Sequence, residues 1–150
     1  MAFKQLTDKH VAVFFAAGFE EVEAIAVVDL LFRAGIPCDM VSITEDLQVA
    51  SSRDVTVVCD RSITEEGFDF DAYDMLVLPG GIPGTPNLAA NKTVTDTCVS
   101  FANAGKKVAA ICAAPSVLAS LGLLEGKKAT AHAAFQDQLT GAEVLDTEVV

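Results

Sequence analysis

The chain has 150 residues, of which 51% are hydrophobic, and this is enough for one compact domain with a sizeable core, since domains commonly span about 100–200 residues. The formal net charge of −11 argues against direct nucleic-acid binding, because affinity for a phosphate backbone comes from lysine and arginine side chains. No apolar run approaches the roughly 20 residues that cross a bilayer, and the first residues lack the apolar core of a secretion signal. We therefore expect a cytoplasmic protein without a membrane partner.

Residues 10–16 form a continuous apolar run, which is typical of a strand buried on both faces of a parallel sheet. Helical spacing then predicts a helix over 20–34, with acidic residues in its first turn, Arg33 in its last turn and Gly35 as its stop. Strand spacing returns over 37–43. These three segments predict a right-handed βαβ unit.

The rest of the chain also alternates between strand-like and helix-like segments, without an internal repeat or an interdomain linker. In chain order these are β-like pieces over 49–51 and 55–58 in a small antiparallel excursion, a buried strand over 74–78, a helix from Asn91 or Thr93 to about Ala104, a central strand over 107–111, a helix over 115–121, a strand over 129–131, a short polar helix over 135–139, and strand-like pieces over 143–145 and 147–150. The alternation predicts a single domain over 1–150 with a three-layer α/β/α sandwich and a mostly parallel central sheet. In such sheets, ligand sites lie at the carboxyl ends of the strands.

Cys112 stands where the apolar run 108–111 ends and a helix-like segment begins. The small residues Ala110 and Ala114 lie two places before and after it, which is the layout of a nucleophile elbow. A helix N-terminus favours the thiolate form of a cysteine. The alternative is a structural cysteine at a buried strand end, which is the commoner fate of a cysteine in an apolar run.

An oxyanion hole is predicted beside this cysteine. The N–H of Ala113 and an N–H from the Gly80-Gly81 turn would converge on an attacked carbonyl oxygen, since both segments follow strands that end at one edge of the sheet. The alternative is that Pro-Gly-Gly is an ordinary tight turn.

The acidic residues of the first predicted helix divide into two groups. Glu20 and Glu21 are expected to stabilise the helix dipole. Glu23 lies between apolar neighbours and close enough to the strand end to point inward. Beside Cys112 in an apolar pocket, Glu23 would hold a proton and share it with the sulfur.

His132 is the only candidate base near Cys112, because His10 opens a strand and is interpreted as structural. A glutamine amidotransferase of this fold would carry a glutamate two residues after the histidine, to orient the ring. That position is Ala134, so the amidotransferase triad is incomplete. Four cysteines at scattered spacings, without a Cys-x-x-Cys pair, indicate free thiols, and we expect no metal and no cofactor.

An ordered set of motifs covers nearly the whole chain. The motifs are Gly18-Phe19-Glu20-Glu21-Val22-Glu23-Ala24, then Asp29 with Arg33-Ala34-Gly35-Ile36, then Ser52-Arg53-Asp54-Val55, then Tyr73-Asp74 with Leu78-Pro79-Gly80-Gly81, then Ala109-Ala110-Ile111-Cys112-Ala113-Ala114-Pro115. In this order they resemble the ThiJ/PfpI superfamily, and most closely the branch of the parkinsonism-associated deglycase and its bacterial relatives.

The resemblance implies a flavodoxin-like sandwich and an oxidation-prone nucleophilic cysteine at Cys112. It also implies that Glu23 is a protonated carboxyl hydrogen-bonded to that sulfur, that backbone of Gly81 and Ala113 lines the anion site, and that His132 is nearby. A homodimer is implied as well. Its interface is expected near the first helix and near Arg33 and Arg53.

The chain departs from the resembled pattern in two places. The elbow reads Ala113-Ala114-Pro115 where many relatives have glycine before the proline. Relatives also continue past the position of Val150 with a strand, a loop near the active site and a long helix. A truncated, cleaved or two-chain form is therefore expected, with a partner segment that completes the sheet.

These observations favour a cysteine-dependent enzyme that acts on reactive dicarbonyls or their adducts. It would form lactate from methylglyoxal, as in a glyoxalase III, or deglycate proteins or nucleotides, with Cys112 as nucleophile and Glu23 as proton donor and acceptor. The alternative is an oxidative-stress sensor and redox-regulated chaperone in which Cys112 oxidises to a sulfinate. Peptidase activity occurs by name in part of the superfamily, and nothing in the sequence argues for it.

Overall fold

Five parallel strands form the centre of the molecule, seen in a computed structural model that describes residues 3–150. In chain order the strands and α-helices are β1 (Val11–Phe15), α1 (Glu21–Arg33), β2 (Cys38–Ser42), β3 (Gln48–Ala50), β4 (Thr56–Val58), β5 (Arg61–Ser62), β6 (Met75–Leu78), α2 (Gly84–Ala90), α3 (Lys92–Asn103), β7 (Lys107–Ala110), α4 (Pro115–Ser120), β8 (Lys128–Ala129) and β9 (Glu143–Val144). Short 3-10 helices lie at Phe70–Ala72 and Ala133–Gln138. The central sheet has the strand order β5-β2-β1-β6-β7, and each of its pairs is parallel.

Strand β1 shows why the core has two halves. All five of its residues are buried, and successive side chains point to opposite faces of the sheet. Phe14 packs with α2, α3 and α4 on one face, whereas Val13 and Phe15 pack with α1 and the β3–β4 hairpin on the other. The α/β sandwich expected from the apolar runs is confirmed, and the central sheet is wholly parallel.

The predicted helices and buried strands are confirmed, with bounds that differ by at most two residues at either end. The central position expected for the strand over 107–111 is wrong, because this strand is β7, at one edge of the central sheet, where it pairs only with β6. The antiparallel excursion is the hairpin of β3 and β4, where Val49 pairs with Val57. Strands β8 and β9 form a separate parallel pair, in which Ala129 is opposite Val144. Within residues 3–150, no helix is both long and apolar enough to span a bilayer.

Two segments differ from the prediction. Helix α2 was not expected, because Gly84 and Pro86 resemble turn residues; the proline is tolerated in the first helical turn, where backbone N–H groups have no helical partner. The strand predicted over 147–150 is wrong. Its β-branched residues favour an extended chain, but Thr147 accepts from the Thr130 hydroxyl at 2.9 Å and Val149 is 83% exposed, without a ladder.

Candidate active site

Three chain segments meet at the carboxyl edge of the central sheet. Strand β1 leads into Gly18, β6 leads into Pro79-Gly80-Gly81, and β7 leads into Cys112. The parallel register brings their ends together, since β6 pairs with both β1 and β7. This edge is where ligand sites lie in open α/β sheets.

The backbone of Cys112 has φ +62°, in the left-handed region that non-glycine residues seldom adopt. The turn is held on both sides: the Ile111 N–H donates to the Leu78 carbonyl at 3.2 Å, and the Ala114 N–H donates to the Ile111 carbonyl at 3.0 Å. Helix α4 begins at the next residue, Pro115. Such a conformation costs about 1–3 kcal/mol and persists only where its surroundings impose it.

The Cys112 thiol is half-buried and has three polar neighbours. Burial raises the pKa of the thiol, and a hydrogen bond with the Glu23 carboxyl and the negative charge of that group raise it further. The backbone N–H groups of Ala113 and Gly81 lower the same pKa by hydrogen bonding to the sulfur. The Glu23 carboxyl therefore disfavours the thiolate form of Cys112, and the two backbone N–H groups favour it.

Glu23 reaches this position because it is tied to the loop after β6. Its Oε2 atom accepts a hydrogen bond from the Gly80 N–H at 2.8 Å. A Cβ atom on Gly80 would lie 2.6 Å from Glu23 Oε2 and 2.7 Å from the Cys112 Cβ. Position 80 therefore requires glycine, because a side chain there would collide with Glu23 and Cys112. The Gly80 N–H already donates to Glu23, so it is not free to bind an oxyanion.

Gly81 is required by its conformation as well as by space. Its φ is +97°, and a Cβ atom there would lie 2.3 Å from the backbone nitrogen of Glu20. The Gly81 N–H lowers the pKa of the Cys112 thiol, as does the N–H of Ala113. Of the two glycines predicted to contribute an oxyanion donor, Gly81 has the available N–H.

His132 lies beside Cys112 through its backbone. The His132 N–H donates to the Cys112 carbonyl at 2.8 Å, and the exposed ring accepts from the Ala134 N–H at Nδ1, 3.2 Å away. The ring also packs edge-on against Phe135. The structure places His132 at the site, and its role as a base stays a prediction.

A cavity of about 670 Å³ runs along β7 from Val108 to Cys112. Its opposite wall is formed by residues 127–132, and residues 147–150 contribute to the rim. Its lining includes Cys112 and His132, whereas Glu23, Gly81 and Ala113 lie outside it. In the described part of the chain, His, Cys, Asp and Glu side chains form no group of three or more with the spacing of a metal site.

One residue at this site, Glu20, has a hydrogen-bonding role that was not predicted from the sequence. Glu20, which was assigned only to the helix dipole, caps α1 by accepting the Glu23 N–H at 2.8 Å. The signal was present, because a capping residue and a glutamate three positions later form the spacing of a capping box. A glutamate is an unusual first member of that motif, which normally begins with serine or threonine.

The sequence of this chain is similar to those of known proteins. The sequence profile of the DJ-1/PfpI family matches residues 9–150. Protein dj-1beta of Drosophila melanogaster is 37% identical over 131 residues, which are 87% of this chain and 69% of that protein. A protein named deglycase from Thermococcus kodakarensis is 34% identical over 93% of this chain and 83% of its own length.

The fold comparison agrees with the sequence comparison. The crystal structure of Drosophila melanogaster DJ-1beta superposes with a TM-score of 0.87 at 35% identity, over 95% of this chain and 76% of that one. By contrast, this chain spans only 31% of the length of protein DJ-1 homolog B from Arabidopsis thaliana, to which it is 36% identical.

Proposed function

Because this chain belongs to the DJ-1/PfpI family, we propose that it is a cysteine-dependent enzyme acting on reactive dicarbonyls or their adducts. The observation that carries the proposal is the environment of Cys112. Its backbone is left-handed at the carboxyl edge, and Glu23, held by the Gly80 N–H at 2.8 Å, lies close enough to raise the pKa of the thiol. The relative named deglycase supports the same class of substrate.

In the proposed reaction, the Cys112 sulfur attacks the aldehyde carbon of methylglyoxal. The C=O electron pair moves to oxygen, and the N–H groups of Ala113 and Gly81 stabilise the alkoxide in the turn that we interpret as a nucleophile elbow. The proton held by Glu23 then neutralises this oxygen, which gives a hemithioacetal on the sulfur.

Glu23 next moves a proton between the two carbons. Its carboxylate removes the hydrogen of the sulfur-bearing carbon to give an enediolate and returns this proton to the former ketone carbon. The hydroxyl proton of the sulfur-bearing carbon passes to the former ketone oxygen, so that a thioester of lactate forms without any external oxidant. Water cleaves the thioester, releasing lactate and the thiol. With a glycated amine as substrate, the Cys112 sulfur bonds to the hemiaminal carbon as the carbon–nitrogen bond breaks and the Glu23 proton passes to the departing amine. The resulting hemithioacetal then follows the same proton transfers and hydrolysis. His132, on the cavity wall, is proposed as a second proton carrier.

The test is conversion of methylglyoxal to lactate by the wild-type protein and two cysteine variants. Cys112→Ala is expected to abolish lactate formation. Cys38→Ala is the matched control, because Cys38 is likewise a half-buried free thiol but starts β2, away from the carboxyl edge. Lactate formation by Cys112→Ala at the wild-type rate would rule out the proposal.

A second candidate function is an oxidative-stress sensor with redox-regulated chaperone activity. The favouring observation is that the backbone N–H groups of Ala113 and Gly81 lower the pKa of the Cys112 thiol, since donors that favour its thiolate would also favour the negative oxygens of a sulfinate. Mass spectrometry after mild peroxide treatment separates the two functions. Selective oxidation of Cys112 in a protein without dicarbonyl turnover would favour the sensor.

We also propose that the protein forms a homodimer through α1. Val22 and Leu30 are 69% and 64% exposed on this helix, and burial of such side chains in an interface is favourable. Arg33, which pairs with Asp29 at 2.7 Å, and Arg53 would lie near this interface. Four free cysteines among residues 3–150 support the proposed location in the reducing cytoplasm.

A further inference from the structure

Glu20 caps helix α1 and also contacts the loop after β6. It precedes α1, with extended backbone angles (φ −84°, ψ 118°), and its side chain turns back to accept the Glu23 N–H at 2.8 Å. This is the N-cap contact that satisfies one of the unpaired N–H groups of a first helical turn. The group satisfied is the backbone of the residue whose carboxyl contacts Cys112.

A second contact joins Glu20 to the loop after β6. The Glu20 N–H donates to the Gly80 carbonyl at 3.0 Å. The Gly80 N–H in turn donates to Glu23 Oε2 at 2.8 Å. Three hydrogen bonds therefore close a ring: Glu20 to Gly80, Gly80 to Glu23, and Glu23 back to Glu20.

The ring fixes both ends of the Glu23 side chain. Its backbone is anchored by the Glu20 carboxylate, and its carboxyl is anchored by Gly80. The same loop supplies the Gly81 N–H to the Cys112 sulfur, and Gly81 approaches Glu20 so closely that a Cβ atom would lie 2.3 Å from the Glu20 nitrogen. A change at Glu20 is thus transmitted to two of the three partners of the thiol.

We propose that Glu20 is a positioning residue that holds Glu23 and the Gly80-Gly81 loop in register with the Cys112 sulfur. It touches neither the sulfur nor the reacting carbon in this role, and it acts through the backbone of Glu23 and of Gly80. The inference rests on the proposed role of Glu23 as the proton partner of Cys112.

The neighbouring Glu21 is a matched control. It is the first residue of the helix that Glu20 caps and carries the same charge, so both carboxylates lie near the positive end of the helix dipole. The Glu21 carboxylate faces Ser52, whose hydroxyl lies 3.5 Å from Oε2. Replacing Glu21 with alanine therefore changes the net charge as Glu20→Ala does, while the ring remains intact.

The experiment measures the rate of Cys112 alkylation by iodoacetamide as a function of pH. Glu20→Ala is expected to move the pH midpoint by roughly half a unit toward that of Glu23→Ala, the size expected when a typical N-cap contact is lost. Glu20→Gln, which keeps a side-chain acceptor at the same reach, and Glu21→Ala are expected to stay at the wild-type midpoint. In the Glu23→Ala background, Glu20→Ala should cause no additional shift.

Three outcomes would overturn the inference: a wild-type midpoint in Glu20→Ala, an equal shift in Glu21→Ala, or an equal shift with and without Glu23. Amide hydrogen exchange of the unsubstituted protein gives a second test that requires no variant to fold. The Glu23 and Gly80 N–H groups should be protected, and exchange at the rate of open amides would also overturn the inference. The alkylation measurement uses no dicarbonyl and therefore tests the role of Glu20 on its own. Absence of lactate formation would count against the proposed function and would not change the alkylation result.

Discussion

Cys112 has a strained backbone because the turn must leave β7 and enter α4 within a few residues. The conformation directs the thiol toward the loop after β6, where it meets Glu23 and two backbone N–H groups. These contacts are the basis of the proposal that Cys112 is a nucleophile, Glu23 its proton partner and the two N–H groups the donors for a developing negative charge. The proposed chemistry depends on close packing around Gly80, where an added Cβ atom would lie 2.6 Å from Glu23 Oε2 and 2.7 Å from the Cys112 Cβ.

Replacing Gly80 with alanine tests this close approach. The new Cβ atom would lie 2.6 Å from Glu23 Oε2, so Glu23 must move away from the sulfur. Lactate formation is expected to fall about 10²-fold, the lower end of the range of about 10²–10⁴ that general acid–base groups contribute. Gly67→Ala is the control for backbone strain without a clash, because its φ of +78° disfavours alanine while nothing lies within 4 Å of the added atom. Equal activity in both variants would contradict the argument.

The four thiols are expected to differ in reactivity. Burial raises the pKa of Cys38 to about 11, with help from Asp39 and Asp60, and burial raises that of Cys98 to about 12. At pH 8 a thiol with a pKa of 11 is ionised in about one molecule in a thousand. Cys112 should therefore be alkylated first, as peptide mapping after brief iodoacetamide treatment would show. Alkylation of Cys38 at the same rate would be the contrary result.

Some helix caps stabilise the fold without contacting the candidate site. Helix α3 begins at Asn91, whose Oδ1 accepts the Val94 N–H at 3.1 Å and whose Nδ2 donates to the Ile43 carbonyl at 3.0 Å. One side chain thus caps a helix and ties it to the chain segment after β2. This tie is remote from the contacts of the Cys112 sulfur.

Asn91→Ala should therefore lower stability without affecting turnover. Loss of the cap and of the tie to Ile43 is expected to reduce the free energy of unfolding by about 1–2 kcal/mol, measured by urea denaturation. Asn91→Asp keeps the cap acceptor and loses the donor, so an intermediate value is expected. A stability equal to wild type in Asn91→Ala would show that neither bond contributes.

The regular elements could be predicted because their patterns are local, whereas the site could be predicted only in part. Apolar alternation in β1 and acidic and basic ends in α1 follow from sequence spacing alone. The bond from Gly80 to Glu23 joins residues 57 positions apart and depends on which strands are neighbours. The extended pattern over 147–150 failed for the same reason, since a strand needs a paired neighbour as well as β-branched residues.

The two helical layers of the molecule differ in the apolar side chains that they expose. The layer with α1 exposes Val22, Ile25 and Leu30. On the opposite layer, α3 carries its apolar residues on its buried face, at Val94, Cys98 and Phe101. A homodimer is therefore expected to use α1.

Sedimentation tests the expected assembly. The wild-type protein should sediment as a dimer at micromolar concentration, and Val22→Asp should shift it to the monomer, because a charge would be buried without a partner. Ala102→Asp, on the exposed side of α3, should leave the dimer intact. A monomeric wild-type protein, or dimers in both variants, would contradict this assignment of the interface.

The central claim is that the reacting carbon becomes bound to the Cys112 sulfur while Glu23 moves the protons. The most direct measurement is mass spectrometry and peptide mapping of the Glu23→Gln variant after brief exposure to methylglyoxal. This variant lacks the group that carries the proton between the carbons, so the adduct should accumulate on Cys112, and added Cys112→Ala should eliminate it. An adduct confined to lysine or to Cys38, or none at Cys112 in a protein that still forms lactate, would contradict the account.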